Sequence, residues 1–136
     1  MGYRIIGIYF FIICFGIFNQ AKAQSTFPNA IKKAFISGDS KKLALFFDRN
    51  VELLLIEKGD VYSKAQAELI IQNFFINNTP KSFTVESESE DKTTNFAIAR
   101  LKTTKDNFRV FIAYRKNYKN LIVNQMVISK VQEINE

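Results

Sequence analysis

The chain has 136 residues, with 19 Lys and Arg against 13 Asp and Glu, a net charge of +6. It contains no histidine, and its single cysteine is Cys14. These counts remove the commonest general base and metal ligand, exclude a disulfide-stapled fold, and leave no cysteine cluster for zinc.

The first residues read as an export signal. Arg4 precedes an apolar run of 14 residues, Ile5 to Phe18. That is the length of a signal-peptide core and falls short of the ~20 apolar residues that span a bilayer. Ala21-Lys22-Ala23 supplies the small-x-small cleavage pattern. Lipid attachment at Cys14 would want a small residue before it, where Ile13 stands. The expected organisation is a signal peptide over 1–23, cleaved between Ala23 and Gln24, and a single domain over 24–136. The released domain has 113 residues, enough for one core. Without Arg4, Lys22 and Cys14 it keeps 17 basic and 13 acidic residues, a charge of +4, and no thiol.

Pro28 suits the first turn of a helix, where its missing N–H costs nothing. Ile31, Ala34 and Phe35 keep helical spacing up to Ser37-Gly38. Asp39 is placed to cap a second short helix, with Leu43, Phe46 and Phe47 at i, i+3, i+4. Val51 to Glu57 then reads as a strand closed by the turn signal Lys58-Gly59-Asp60, and Val61-Tyr62 returns it as a small hairpin. Ser63 and Gln66 form a capping box for a longer helix. Ala67, Ile70, Ile71, Phe74 and Phe75 make its apolar stripe. Leu69 and Ile76 widen that stripe, which predicts cover on two sides. Asn77 and Asn78 end the helix, and Pro80 forbids its continuation. Asn77-Asn78-Thr79 also fits a glycan acceptor, although it reads better as a helix end. Four strands follow, at Ser82–Glu88, Asn95–Thr103, Phe108–Lys116 and Leu121–Val131. Short connections at Lys105–Asn107 and Asn117–Asn120 make neighbours antiparallel.

The expected fold is α+β: an N-terminal helix pair, a short hairpin, and one long helix packed into a curved four-stranded antiparallel sheet. This layout resembles the cone of nuclear transport factor 2, the ketosteroid isomerases and the SnoaL-like (cystatin-like) proteins. More narrowly, Gly38-Asp39 with Leu43-Ala44, Val51-Glu52-Leu53, the run Tyr62-Ser63-Lys64-Ala65-Gln66-Ala67-Glu68 and Phe108-Arg109-Val110 resemble a family of small exported bacterial proteins, domain of unknown function 4783. The resemblance spans nearly all of the domain. It implies the fold and a periplasmic or secreted location, and transfers no catalytic residue.

Cones of this kind can enclose a pocket, and in the isomerases it holds a carboxylate base with an oxyanion hole. The parts present here are Glu52, between apolar neighbours, and the hydroxyls of Tyr62 and Tyr114. With Arg109 they form the candidate ligand-binding set. As an alternative, Glu52, Tyr62 and Tyr114 form a catalytic set for a SnoaL-like or ketosteroid-isomerase-like enzyme. The bland reading is a solvated or ion-paired Glu and a Tyr bonded to one backbone carbonyl. Arg109, Arg115, Arg100, Lys102 and Lys130 give the sheet a basic face, read as solvated. The acidic run Glu86, Glu88, Glu90, Asp91 lacks a calcium-loop pattern. No cofactor or metal motif appears, and neither nucleic acid nor, after signal cleavage, a membrane is an expected partner.

The leading expectation is therefore a non-enzymatic exported domain that binds a protein partner or a small apolar ligand, with a homodimer through the sheet face among the partners. The domain has ten Phe and only two Gly, Gly38 and Gly59. Bulky residues on the helix stripe favour a filled cone over an open one. The first testable outcome concerns processing. N-terminal sequencing of protein recovered from the periplasm or medium should begin at Gln24, and a chain beginning at Met1 would overturn the export signal.

Overall fold

The computed structural model describes residues 25–91, 94–117 and 120–132. The expected signal and its cleavage point at Ala23 and Gln24 lie outside them. Among the described residues, no helix is long and apolar enough to cross a membrane.

Local chemistry sets the helices. α1 (Asn29–Ser37) starts after Pro28 and stops at Gly38. Gly38 is left-handed at φ 62°, and its N–H and that of Asp39 close on Phe35 O and Ala34 O at 3.1 and 2.9 Å. A Cβ at Gly38 would lie in ordinary contact with Pro80 at 3.4 Å, so the left-handed φ is what favours glycine there. Asp39 caps α2 (Ser40–Ala44), its carboxylate accepting from Lys42 N at 3.0 Å. The capping box of α3 (Lys64–Asn77) is complete: Gln66 N donates to Ser63 Oγ at 3.3 Å and Ser63 N to Gln66 Oε1 at 3.2 Å. Asn78 ends it, its backbone and side-chain N–H groups both donating to Phe74 O.

The sheet corrects the expected architecture. It has six strands: β1 (Phe47–Leu55), β2 (Lys58–Ser63), β3 (Pro80–Glu90), β4 (Asn95–Thr103), β5 (Asn107–Asn117) and β6 (Asn120–Lys130). Their spatial order is β2-β1-β6-β5-β4-β3. The last four strands are the antiparallel set read from the sequence. The hairpin is not separate from them, because β1 runs parallel to β6, with Leu53 opposite Met126 and Leu55 opposite Ile128. The cause is burial. Val123, Met126 and Ile128 form the inner row of β6 and are completely buried. An isolated hairpin is marginal in water, and β1 covers that row while burying its own Val51 and Leu53.

Three local expectations are also corrected. Phe46 and Phe47 do not continue α2, which ends at Ala44; Phe47 opens β1 and is buried as a strand residue. The hairpin turn is Ile56-Glu57, not Lys58-Gly59-Asp60, and both residues have positive φ, 44° and 70°. Two-residue hairpin turns need that geometry to match strand twist, and the Ile56 N–H bond to Ile128 O at 2.9 Å holds it. Leu69 and Ile76 do not meet a second covering layer; they are 64% and 72% exposed. The buried face of α3 is the ordinary stripe of Ala67, Ile71, Phe74 and Phe75, with Ile70 half-buried.

A chain of aromatic rings fills the concave side. Phe108 on β5 meets Phe74 at 5.0 Å, Phe74 meets Phe75 at 5.8 Å, and Phe75 meets Phe35 edge-on at 5.9 Å. Phe35 stacks on Phe83 of β3 at 4.5 Å, Phe83 touches Phe27 at 6.1 Å, and Phe27 meets Tyr114 at 5.9 Å. Both ends of the chain lie on β5, so the rings join strand, α3, α1, β3 and the N-terminal segment in one circuit.

The β2 edge is capped by side chains of β2 and of the first turn of α3. The two-residue turn and the register Leu53↔Asp60, Val51↔Tyr62 leave Gly59, Val61 and Ser63 facing outward. Of these, Val61 N–H donates to Asp60 Oδ1 at 2.8 Å and Ser63 N–H to Gln66.

The turn yields a prediction. Ile at positive φ is strained, and Asn-Gly is the preferred pair for this turn. Ile56→Asn combined with Glu57→Gly should raise stability in urea unfolding by about 1 kcal/mol. A loss of stability would show that the Ile56 side chain makes a contact worth more than the strain.

Candidate functional site

The side chains singled out from sequence fall on opposite faces of the sheet. Val51 and Leu53 point inward from β1, so Glu52 between them points outward and is exposed. Tyr62 lies opposite Val51 and packs on the core from the inner side. Tyr114 is also inner and completely buried. Arg109 is outer and exposed. The structure therefore does not bring Glu52 together with either tyrosine. Glu52 and Arg109 share the outer face, but two strands and four residues separate them, roughly 16 Å by strand spacing.

The basic face is largely neutralised. Arg100 Nε meets Glu86 at 2.8 Å, Arg115 Nη2 meets Asp48 at 2.8 Å, and Lys130 Nζ meets Asp106 at 3.2 Å. Such exposed pairs contribute at most about 1 kcal/mol each, yet they answer the charge that sequence alone leaves open. Among the described residues, no group of Cys, His, Asp and Glu could hold a metal ion.

Two further features emerge that sequence reading missed. The first is an apolar row on the outer face. Leu54, Val127, Phe111 and Ile98 lie directly opposite one another across β1, β6, β5 and β4, forming one apolar row. Phe96 stands beside it, its ring 5.7 Å from Phe111. On one side of the row lie Arg109 and Arg100, paired across β5 and β4; on the other lie Glu52, Gln125, Ala113 and Phe96. The alternation of each strand carried this signal, but only the register aligns the rows.

The second is the end of the inner face around Tyr114. A bulge between Val85 and Ser87 puts Glu88 opposite Ala97 and Glu90 opposite Asn95, turning both toward the inner side. Glu88 accepts from Thr26 N and Thr26 Oγ1 at 3.1 and 3.2 Å. Glu90 accepts from Lys116 Nζ at 2.8 Å. That bond holds the Glu90 carboxyl below, and the Lys116 ammonium above, their ordinary ranges. Burial pushes the Tyr114 hydroxyl above its ordinary value. Among the described residues, the Tyr114 hydroxyl is buried with no hydrogen-bond partner, contrary to the usual carbonyl bond of a buried Tyr.

Away from both features, a surface groove of about 540 Å³ runs between the α1–α2 turn and α3, lined by Gly38, Asp39, Lys41, Glu68, Gln72 and Ile76.

Residues 28–129 match a family described as a domain of unknown function, DUF4783. The chain belongs to that family. A DUF4783 protein from Bacteroides uniformis, of known crystal structure, is 30% identical, with 79% of this chain and 99% of that one aligned at a TM-score of 0.74. Two other solved structures share the fold of this DUF4783 domain. One is a domain with a cystatin-like fold from Nostoc punctiforme, at 9% identity, 78% and 74% coverage and a TM-score of 0.62. The other is a protein whose name carries NTF2, at 17% identity, 74% and 91% coverage and a TM-score of 0.60. No curated protein matches the chain. The expected NTF2-like, cystatin-like α+β fold and the expected family are thus both found.

The unpartnered hydroxyl gives the next prediction. Tyr114→Phe removes a buried polar atom that bonds to nothing, so stability should rise by about 1 kcal/mol or more. The folded-state pKa of Tyr114 is raised, so the stability it protects is fully present below pH ~10. It is lost as pH climbs through the raised folded value, because the unfolded chain gives up the proton first. Urea titrations at neutral and alkaline pH should show a smaller alkaline loss in the variant. A destabilised Tyr114→Phe would show that the hydroxyl is bonded.

Proposed function

We propose that this DUF4783 domain is a non-enzymatic docking module that works outside the cytoplasm and associates with a second copy of itself through the outer face of its sheet. The observation that carries the reading is the Leu54, Val127, Phe111, Ile98 row, four apolar side chains in register on an uncovered face. Open antiparallel sheets commonly keep such a face polar, and contiguous apolar surface favours a partner.

Charge favours a second copy. Laying the row on itself with strand directions opposed places Arg109 and Arg100 of one copy over the Glu52, Gln125, Ala113, Phe96 row of the other. There Arg100 of each copy lies over the Phe96 ring of the other and Arg109 lies over Ala113, so a guanidinium meets an aromatic face. The same row laid down with strand directions alike would bring the Arg-bearing ends of the two copies to the same side and leave Arg100 without the Phe96 ring. The separation of Glu52 from Tyr62 and Tyr114 supports docking over carboxylate-base chemistry, which needs the base and donor within reach of one substrate. Export rests on the Arg4, Ile5–Phe18 and Ala21-Lys22-Ala23 pattern.

Sedimentation equilibrium tests the reading. The wild-type domain should be dimeric at tens of micromolar, about the range of a modest interface. Phe111→Glu should be monomeric with an unchanged far-UV circular dichroism spectrum. A wild-type chain that stays monomeric into the millimolar range would sink the proposal.

A further inference from the structure

The segment Ser25–Pro28 has no regular structure of its own, yet Phe27 is only 2% exposed. Its ring occupies a slot between Phe83 and Tyr114. One residue earlier, Thr26 gives two hydrogen-bond donors to the Glu88 carboxylate. The segment thus presents an aryl ring to an aromatic slot and a pair of donors to an acid at its rim. It leaves one group in the slot unanswered, the buried Tyr114 hydroxyl. Lys116 Nζ lies 5.9 Å from the centre of the Tyr114 ring and is held by Glu90, so Tyr114 stands at the same rim. Two carboxylates stand there against one ammonium, and Glu90 already holds Lys116.

We propose that the Phe27 slot is a binding site for small arylalkyl amines, closed in the structure by Thr26 and Phe27 as a tethered mimic of the ligand. The ring of the amine takes the place of the Phe27 ring against Phe83 and Tyr114. Its ammonium replaces the two Thr26 donors on Glu88, and its third N–H donates a hydrogen bond to the Tyr114 oxygen. The rim selects a cation, since an arylalkyl acid would meet Glu88 and Glu90. Displacement is feasible because the strap is held at its outer end by solvent-exposed bonds. It also lowers apparent affinity by the fraction of molecules whose strap is open. This site lies on the inner side of the sheet and is independent of the outer docking face.

The test titrates the full chain with phenethylamine and, as its anionic counterpart, 3-phenylpropionate, reading thermal unfolding and amide chemical shifts. Phenethylamine should raise the melting temperature and move the Thr26, Phe27 and Tyr114 signals, while 3-phenylpropionate does neither. Phe27→Ala removes the competing ring and should tighten phenethylamine binding by about tenfold or more. Glu88→Gln should weaken it by about tenfold. Should Phe27→Ala fail to fold, Thr26→Pro, which removes both donors and keeps the ring, serves as the opened variant and should also bind more tightly. No response to millimolar phenethylamine in both the wild type and the opened variant, or equal responses to amine and acid, overturns the proposal. Shifts confined to residues outside the slot do the same. Dimer formation is read separately, so loss of either result leaves the other standing.

Discussion

The circuit of rings that leaves β5 at Phe108 and returns to it at Tyr114 is the interaction on which the rest of the molecule depends. Two helices and an irregular segment reach the sheet through it, on β5 and on the edge strand β3. Phe35 is its joint, stacked flat on Phe83 and edge-on to Phe75. Such pairs are worth about 0.5–1.5 kcal/mol each beyond the area they bury. Ring geometry is also specific, so the contacts fix where α1 and α3 sit as well as holding them. With no thiol in the expected exported domain, stability has to come from packing of this kind.

Filling the cone has a functional consequence. A fold that can enclose a pocket here spends its concave side on phenyl rings, and its polar groups are sent elsewhere. Glu52 and Arg109 go to the outer face; Glu88 and Glu90 go to the rim. On the proposed reading, recognition is then a matter of surfaces and of one rim slot, rather than of a deep chamber with a base and a donor.

Much of the fold was legible because its signals are local. Pro28, Gly38, Asp39, and Ser63 with Gln66 set helix ends by satisfying backbone groups within a few residues of themselves. The last four strands follow from alternation and short connections. The parallel pairing of β1 with β6 was not legible, since alternation names a buried face and not the neighbour beside it. Phe46 and Phe47 fit helical spacing after Leu43, and only the need to cover β6 makes Phe47 a strand residue. Leu69 and Ile76 misled because an apolar residue on a helix is no guarantee of a partner. At the site, Tyr114 could be read as inward from its strand period. Its missing partner could not, nor could the bulge that turns Glu88 and Glu90 inward.

The capped edge of β2 bears on what kind of assembly this chain can build. With the Val61 N–H held by Asp60 and the Ser63 N–H by Gln66, an incoming strand finds fewer free donors to pair with. Edge-to-edge growth, which repeats without limit and ends in filaments, is disfavoured. Contact through a flat face closes on itself after two copies, because each uses the same patch that the other offers. The Asp60 side chain on the outermost strand and the Gln66 side chain in the first turn of α3 thus help keep a sheet-rich protein finite in size.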